Sequence, residues 1–187
     1  MDKEIRSKID DLGDIVNKLI FDDNYNLPLE DALQRAGIIV RYFVNSEYDG
    51  FLKWDKNENK PVISVNALHA EVRRRFSMAH ELGHLIIDYK WIPYSDKNNK
   101  TEISNKELLN VTKYRGGSYN TEKDRNDETI VNEFAASFLV TDSQLKKLIS
   151  EGYDNYDNLI DEVCAKCNVS RQAASIRVNN FLDVAKV

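Results

Sequence analysis

A chain of 187 residues suits one domain, or one domain with a small appendage. Its 42% hydrophobic and 30% charged residues allow a proper core under a polar surface, and a net charge of −5 disfavours nucleic acid or anionic membrane as partners. No apolar run approaches the roughly 20 residues that span a bilayer, the opening Met1-Asp2-Lys3-Glu4-Ile5-Arg6 is charged, and two cysteines make no disulfide framework, so a cytoplasmic protein is expected.

The first element is a helix over 3–20, where Ile5, Ile9, Leu12, Val16, Leu19 and Ile20 recur with helical period. A short helix follows at 28–36, with Pro28 in its first turn and Gly37 past its end. Three strand-like runs come next, Ile38–Val44, Gly50–Trp54 and Pro61–Val65, separated by polar turns at 45–49 and 55–60, and read as a small antiparallel meander. Asn66 is placed to cap a long helix over 67–89. The polar stretch 93–126 predicts a functional loop, with or without a hairpin, and a helix is expected at 127–140. Thr141-Asp142-Ser143-Gln144 has the form of a capping box opening another helix through Leu148, and two or three short helices complete 155–187. The order of elements is that of an α+β fold.

The long helix carries His80-Glu81-Leu82-Gly83-His84. Histidines four apart stand one turn apart on one helix face, where their imidazoles can meet a single zinc ion, and Glu81 lies beside them to take a proton from water. The flanking Phe76, Met78, Ala79, Leu85, Ile86 and Ile87 predict a buried helix, in which two histidines and a glutamate are costly without a partner.

A catalytic zinc usually takes a third protein ligand. Asp88 would lie about 12 Å beyond His80 along the helix axis and His69 about 16 Å before it, so neither qualifies on a straight helix, and His69 is expected at the rim. Of the three carboxylates of the helix at 127–140, Asp127 lies on the apolar stripe of Val131, Phe134, Ala135 and Phe138 but is placed as an N-cap, Glu128 borders that stripe, and Glu133 falls near the opposite side. Glu128 is therefore favoured. Glu133 stays in competition through the Asn132-Glu133 pair, which has the form of the Asn-Glu pair of thermolysin-like enzymes. Ala135 and Ala136 are small enough to let the two helices approach.

These residues resemble a known family, the ImmA/IrrE metallo-endopeptidases of bacteria, their phages and integrative elements. The run Arg74-Arg75-Phe76-Ser77-Met78-Ala79-His80-Glu81-Leu82-Gly83-His84 is similar to that family's lead-in and zinc helix. Glu128 with Asn132 and Phe134-Ala135-Ala136 is similar to its second block, whose glutamate is the third ligand, and Asp49-Gly50 and Ile63-Ser64-Val65-Asn66 fit the sheet before the zinc helix. Val131 in place of an alanine and Thr141 in place of a proline are departures, and 93–126 is longer than typical. The resemblance covers about 30–140 well, the tail more loosely, and implies a zincin-like domain (1–150). The C-terminal extension (151–187) packed on it reads as helix-turn-helix-like from its own residues, with Asn168 at the turn and Ser170 capping the second helix. The resemblance implies a zinc endopeptidase whose protein substrate is a helix-turn-helix repressor of a mobile element, phage or stress response. A further oxyanion donor is expected, with Tyr89, Tyr94, Tyr114 and Tyr119 as sources.

Two readings compete. One is a zinc-containing regulatory or antitoxin-associated binding protein without proteolysis. The other is a DNA-binding regulator using 165–177, where Lys166, Arg171 and Arg177 are concentrated. From Tyr153 to Val187, however, four basic residues (Lys166, Arg171, Arg177, Lys186) face five acidic ones (Asp154, Asp157, Asp161, Glu162, Asp183), a poor balance for phosphate contacts. Cys164-Ala165-Lys166-Cys167 has metal-like spacing but no second pair, and is expected to supply only packing or surface thiols.

Overall fold

A computed structural model of the chain describes residues 1–22, 27–45, 47–94, 110–113 and 122–185. Helix α1 (Lys3–Phe21) opens on Asp2, whose side chain accepts the Glu4 N–H, and closes on Asp22 in the left-handed region. After α2 (Leu29–Arg35) come strands β1 (Ile39–Phe43), β2 (Tyr48–Asp55) and β3 (Lys60–Asn66), then helix α3 (Glu71–Ile87). Strand β4 (Asn110–Lys113) lies within the polar stretch expected to be a functional loop, and pairs antiparallel with β2. Four helices follow: α4 (Glu122–Leu139), α5 (Asp142–Ser150), α6 (Tyr156–Cys167) and α7 (Arg171–Ala185). The fold is the expected α+β, zincin-like arrangement.

The sheet is mixed, in the order β1-β3-β2-β4, and this corrects the antiparallel meander. β2 and β3 do form a hairpin, tightened by Asp55 Oδ1, which accepts the N–H groups of Asn57 and Glu58. β1 instead pairs parallel with β3, Ile39 opposite Val62 through Phe43 opposite Asn66. The reason lies in β3, which is buried at every position from Pro61 to Asn66 and so takes the central place with a partner on each edge. The chain from β1 to β2 must then cross the end of β3, and Asn66 pins the crossing: its amide donates to the carbonyls of Asn45 and Tyr48. Asn66 therefore does not cap α3. Its Oδ1 accepts the Leu68 N–H in a turn, and the helix begins at Glu71, four residues later than the sequence suggested. Helix α4 conversely begins five residues earlier than expected.

The layers run sheet, α3, α4, α1. Helix α3 packs on β2 and β3 with one side and on α4 with the other, which buries nine consecutive residues from Ser77 to Leu85. Helix α4 in turn packs on α1. Thr141 forms the expected capping box with Gln144. Helices α6 and α7 join through Asn168 in the left-handed conformation and feed Leu159, Ile160, Val163, Val178 and Phe181 into the same hydrophobic core as α1, α3 and α4. Cys167 is buried, Cys164 half-buried, and both are free thiols.

The α1–α4 contact fixes one residue type. A Cβ on Gly13 would stand 2.3 Å from Ser137 Oγ and 2.9 Å from both the Phe138 nitrogen and the Ser137 carbonyl carbon. Backbone atoms cannot rotate away, so the helices themselves must part. Gly13→Ala is expected to lower the unfolding free energy by roughly 1–3 kcal/mol of overpacking, outweighing the ~1 kcal/mol that alanine gains in helix propensity. Urea denaturation measures this, and a midpoint at or above that of the parent would refute it.

Candidate metal centre

His80 and His84 sit in the buried middle of α3, where the helical repeat aims both imidazoles at α4. Gly83 lets α4 come close. A Cβ there would lie 2.9 Å from Phe134 Cδ1 and 3.0 Å from Val131 Cγ1. Val131 and Phe134 thus fill the space that Gly83 leaves. Glu128, one turn before Val131, is carried to the imidazoles.

The three side chains converge. His80 Nε2 and His84 Nε2 are 3.1 Å apart, Glu128 Oε2 is 3.4 Å from the first and Glu128 Oε1 3.4 Å from the second. Among the described residues, His80, His84 and Glu128 are a group that could hold a metal ion. The fit can be tested on the edges of that triangle. Tetrahedral ligands at about 2.0–2.1 Å from a zinc ion are separated by about 3.3–3.4 Å, and the three edges lie close to this. The donor set, two imidazoles and one carboxylate, is also one that catalytic zinc takes.

Burial and the neighbouring His84 charge depress the His80 imidazole to about 4. Burial acts in the same sense on His84, but hydrogen bonds to Asp88 and Glu128 and the charges of Glu81 and Glu128 outweigh it and raise His84 to about 10. Burial would likewise raise Glu128, and the His84 hydrogen bond and the His80 charge reverse this, holding the carboxylate low. These opposed shifts bias the metal-free pair toward one proton beyond those of two neutral imidazoles, held between the two rings and Glu128. Metal must displace it.

Glu81 is fully buried beside this group and lies against β2 at Gly50, where a Cβ would stand 3.5 Å from its Oε1. Glu133, the competing ligand, is elsewhere: its two oxygens each accept from Asn180 Nδ2 at 3.0 Å, and Arg6 Nε is 3.8 Å away. His69 is outside the shortened α3 and pairs with Asp49 at 3.1 Å, as Arg73 does at 2.9 Å. Two partners went unassigned in the sequence reading. Asn132 Oδ1 lies 3.0 Å from His80 Nδ1, and Asp88 Oδ2 lies 2.7 Å from His84 Nδ1. The signal available was spacing, since each follows a site residue by four on its helix.

Of the tyrosines, Tyr94 is 55% exposed and Tyr89 is half-buried with its hydroxyl pushed up by burial and by the charges of Asp88 and Glu81, while Tyr114 and Tyr119 lie outside the described residues. Two of the basic residues named for the DNA-binding reading, Arg171 and Arg177, are committed within the protein. Arg177 is 0% exposed inside the core, and Arg171 is engaged by Asp157 and Asp161.

A family model, Peptidase_M78, described as the IrrE N-terminal-like domain, matches residues 33–179, a span that takes in every residue of the group above. No curated protein matches the chain.

Proposed function

The chain belongs to the IrrE N-terminal-like, Peptidase_M78 family of metallopeptidases, and from that premise we propose that it is a zinc endopeptidase with His80, His84 and Glu128 as ligands and Glu81 as catalytic base. The observation that carries this is the convergence of one ligand atom each from His80, His84 and Glu128, all within 4.8 Å of one another, from two different helices. A zinc ion bound there would bring the pKa of water toward about 7 and polarise a carbonyl oxygen.

The chain's own residues do the rest. Glu81 accepts the proton that water loses as it attacks a peptide carbonyl, then returns it to the departing amine, so one carboxylate serves as base and acid in turn. Its complete burial keeps bulk water from competing for that proton. The substrate class is protein, and the finer reading, a helix-turn-helix repressor of a mobile element, phage or stress response, is supported by the family resemblance. A cytoplasmic setting agrees with the finding that no described helix is long and apolar enough to cross a membrane. In the division we propose, 1–150 form the zincin-like peptidase domain, and 151–187 are a helical extension docked on it.

The test uses the intact protein and the repressor encoded beside its gene. One zinc ion per chain and repressor cleavage that stops on chelation are expected. Glu81→Gln should keep the zinc and lose roughly 10²–10⁴-fold in rate, the usual contribution of a general base. Cleavage surviving in Glu81→Gln would overturn the assignment of the base. Stoichiometric zinc without cleavage of any repressor would favour a zinc-containing regulatory protein.

A further inference from the structure

Each imidazole presents Nε2 to Glu128 and hands Nδ1 to a residue that is neither a ligand nor a base. The two partners differ in kind. Asp88 is a carboxylate, ending the helix that bears both histidines, and its Oδ2 stands 2.7 Å from His84 Nδ1. Asn132 is a neutral amide on α4, one turn beyond Glu128, and its Oδ1 stands 3.0 Å from His80 Nδ1. An ionised carboxylate can only accept, which obliges His84 Nδ1 to carry a proton. The Asn132 oxygen asks the same of His80. With both protons held on the outer nitrogens, the inner Nε2 lone pairs are left for a cation. Helix α4 thus addresses His80 at both ring nitrogens, with Glu128 at Nε2 and Asn132 at Nδ1.

We infer that Asp88 and Asn132 are positioning residues: they lock both histidines in the Nδ1–H tautomer with Nε2 facing Glu128, and so set the affinity of the site for zinc. This rests on the zinc reading given above. The split between one carboxylate and one amide has an electrostatic sense. Glu81, Glu128 and Asp88 already place three carboxylates around the two imidazoles, and a neutral amide fixes the second ring without adding a fourth. Metal-bound histidines commonly pass their other N–H to such an outer acceptor, whose removal weakens metal binding by roughly 10–100-fold. Neither residue is needed for the core: Asn132 is exposed and the Asp88 side chain is 36% exposed.

The experiment measures zinc affinity by competition with a chromophoric chelator, in the full-length wild type and in Asn132→Leu, Asp88→Leu, Asn132→Asp and Asp88→Asn. Both leucine variants are expected to bind zinc roughly 10–100-fold more weakly, with the metal-free melting temperature little changed. Asn132→Asp and Asp88→Asn keep an acceptor oxygen and should hold most of the affinity. A second readout is the 15N spectrum of the imidazoles, where Asn132→Leu should turn the single Nδ1–H tautomer of His80 into a mixture. Wild-type zinc binding with unchanged affinity and tautomer in both leucine variants overturns the inference alone. A wild type that binds no zinc takes down the underlying metal reading along with it.

Discussion

Glu128→Ala is expected to abolish stoichiometric zinc binding, while Glu133→Ala leaves it intact and costs stability instead. The two carboxylates are five residues apart on one helix, and composition alone cannot separate them. Their surroundings can. Each Glu128 oxygen is 3.4 Å from one imidazole Nε2 and closes the third corner of the donor triangle. Without it two nitrogens remain, one fewer than the three protein ligands that hold a catalytic zinc, and the loss should exceed the roughly 10–100-fold of an outer acceptor. Glu133 is on the far side of α4, where it accepts from Asn180 of α7 and faces Arg6 of α1. Its removal leaves the half-buried Asn180 amide short of its acceptor and Arg6 without its counter-charge, a cost of about 1–3 kcal/mol. Metal content by mass spectrometry and urea denaturation of the metal-free protein read the two effects separately. Zinc retained in Glu128→Ala and lost in Glu133→Ala would reverse the assignment.

How far this could be read from the chain depended on whether a signal was periodic. The spacing of His80 and His84, and the turn that sets Glu128 beside the stripe of Val131 and Phe134, follow from 3.6 residues per turn, and the helices carry them to one place as that period requires. The close contact of α3 and α4 was expected from the small Ala135 and Ala136 on α4, and Gly83 on α3 leaves further space for Val131 and Phe134. A pattern on one helix says nothing of which residue on the facing helix must be small. Strand pairing was legible only for the β2–β3 hairpin, whose partners are joined by a local turn. The parallel β1–β3 pairing depends on a crossing secured by Asn66, and an asparagine before a helical run gives the same sequence signal when it caps. Arg177 misled for a similar reason, since a lone arginine on a helix next to Arg171 reads as surface.

Arg177 carries the second large effect: Arg177→Ala should cost about 3–5 kcal/mol of stability, the usual result of breaking a buried charge pair from one side. Its Nε donates to the Val140 carbonyl at 2.9 Å, its guanidinium hydrogen-bonds Asp142, and Asp10 Oδ1 is 3.7 Å away, so one side chain of α7 ties together α1, the end of α4 and the start of α5. Asp10 makes the cost depend on pH. Burial drives its carboxyl up, Arg177 pulls it down, Glu133 and Asp142 push it up again and Arg6 opposes them, with a balance near 7 against 3.8 in a free chain. Between those values the folded state holds a proton that the unfolded chain has released, so this contribution to stability is present below about 3.8 and is lost as pH rises through about 7. Asp10→Asn cannot ionise. Its stability relative to wild type should therefore grow across that window, by up to a few kcal/mol on the scale of ~1.4 kcal/mol per pKa unit, and level off above it. Toward pH 8, where Asp10 would otherwise be left ionised and unpaired, Asp10→Asn combined with Arg177→Met should recover part of the loss caused by Arg177→Ala. Urea denaturation of the four proteins from pH 4 to 8 decides the matter: parallel profiles for wild type and Asp10→Asn would mean that Asp10 is ionised throughout and that Arg177, not burial, governs it.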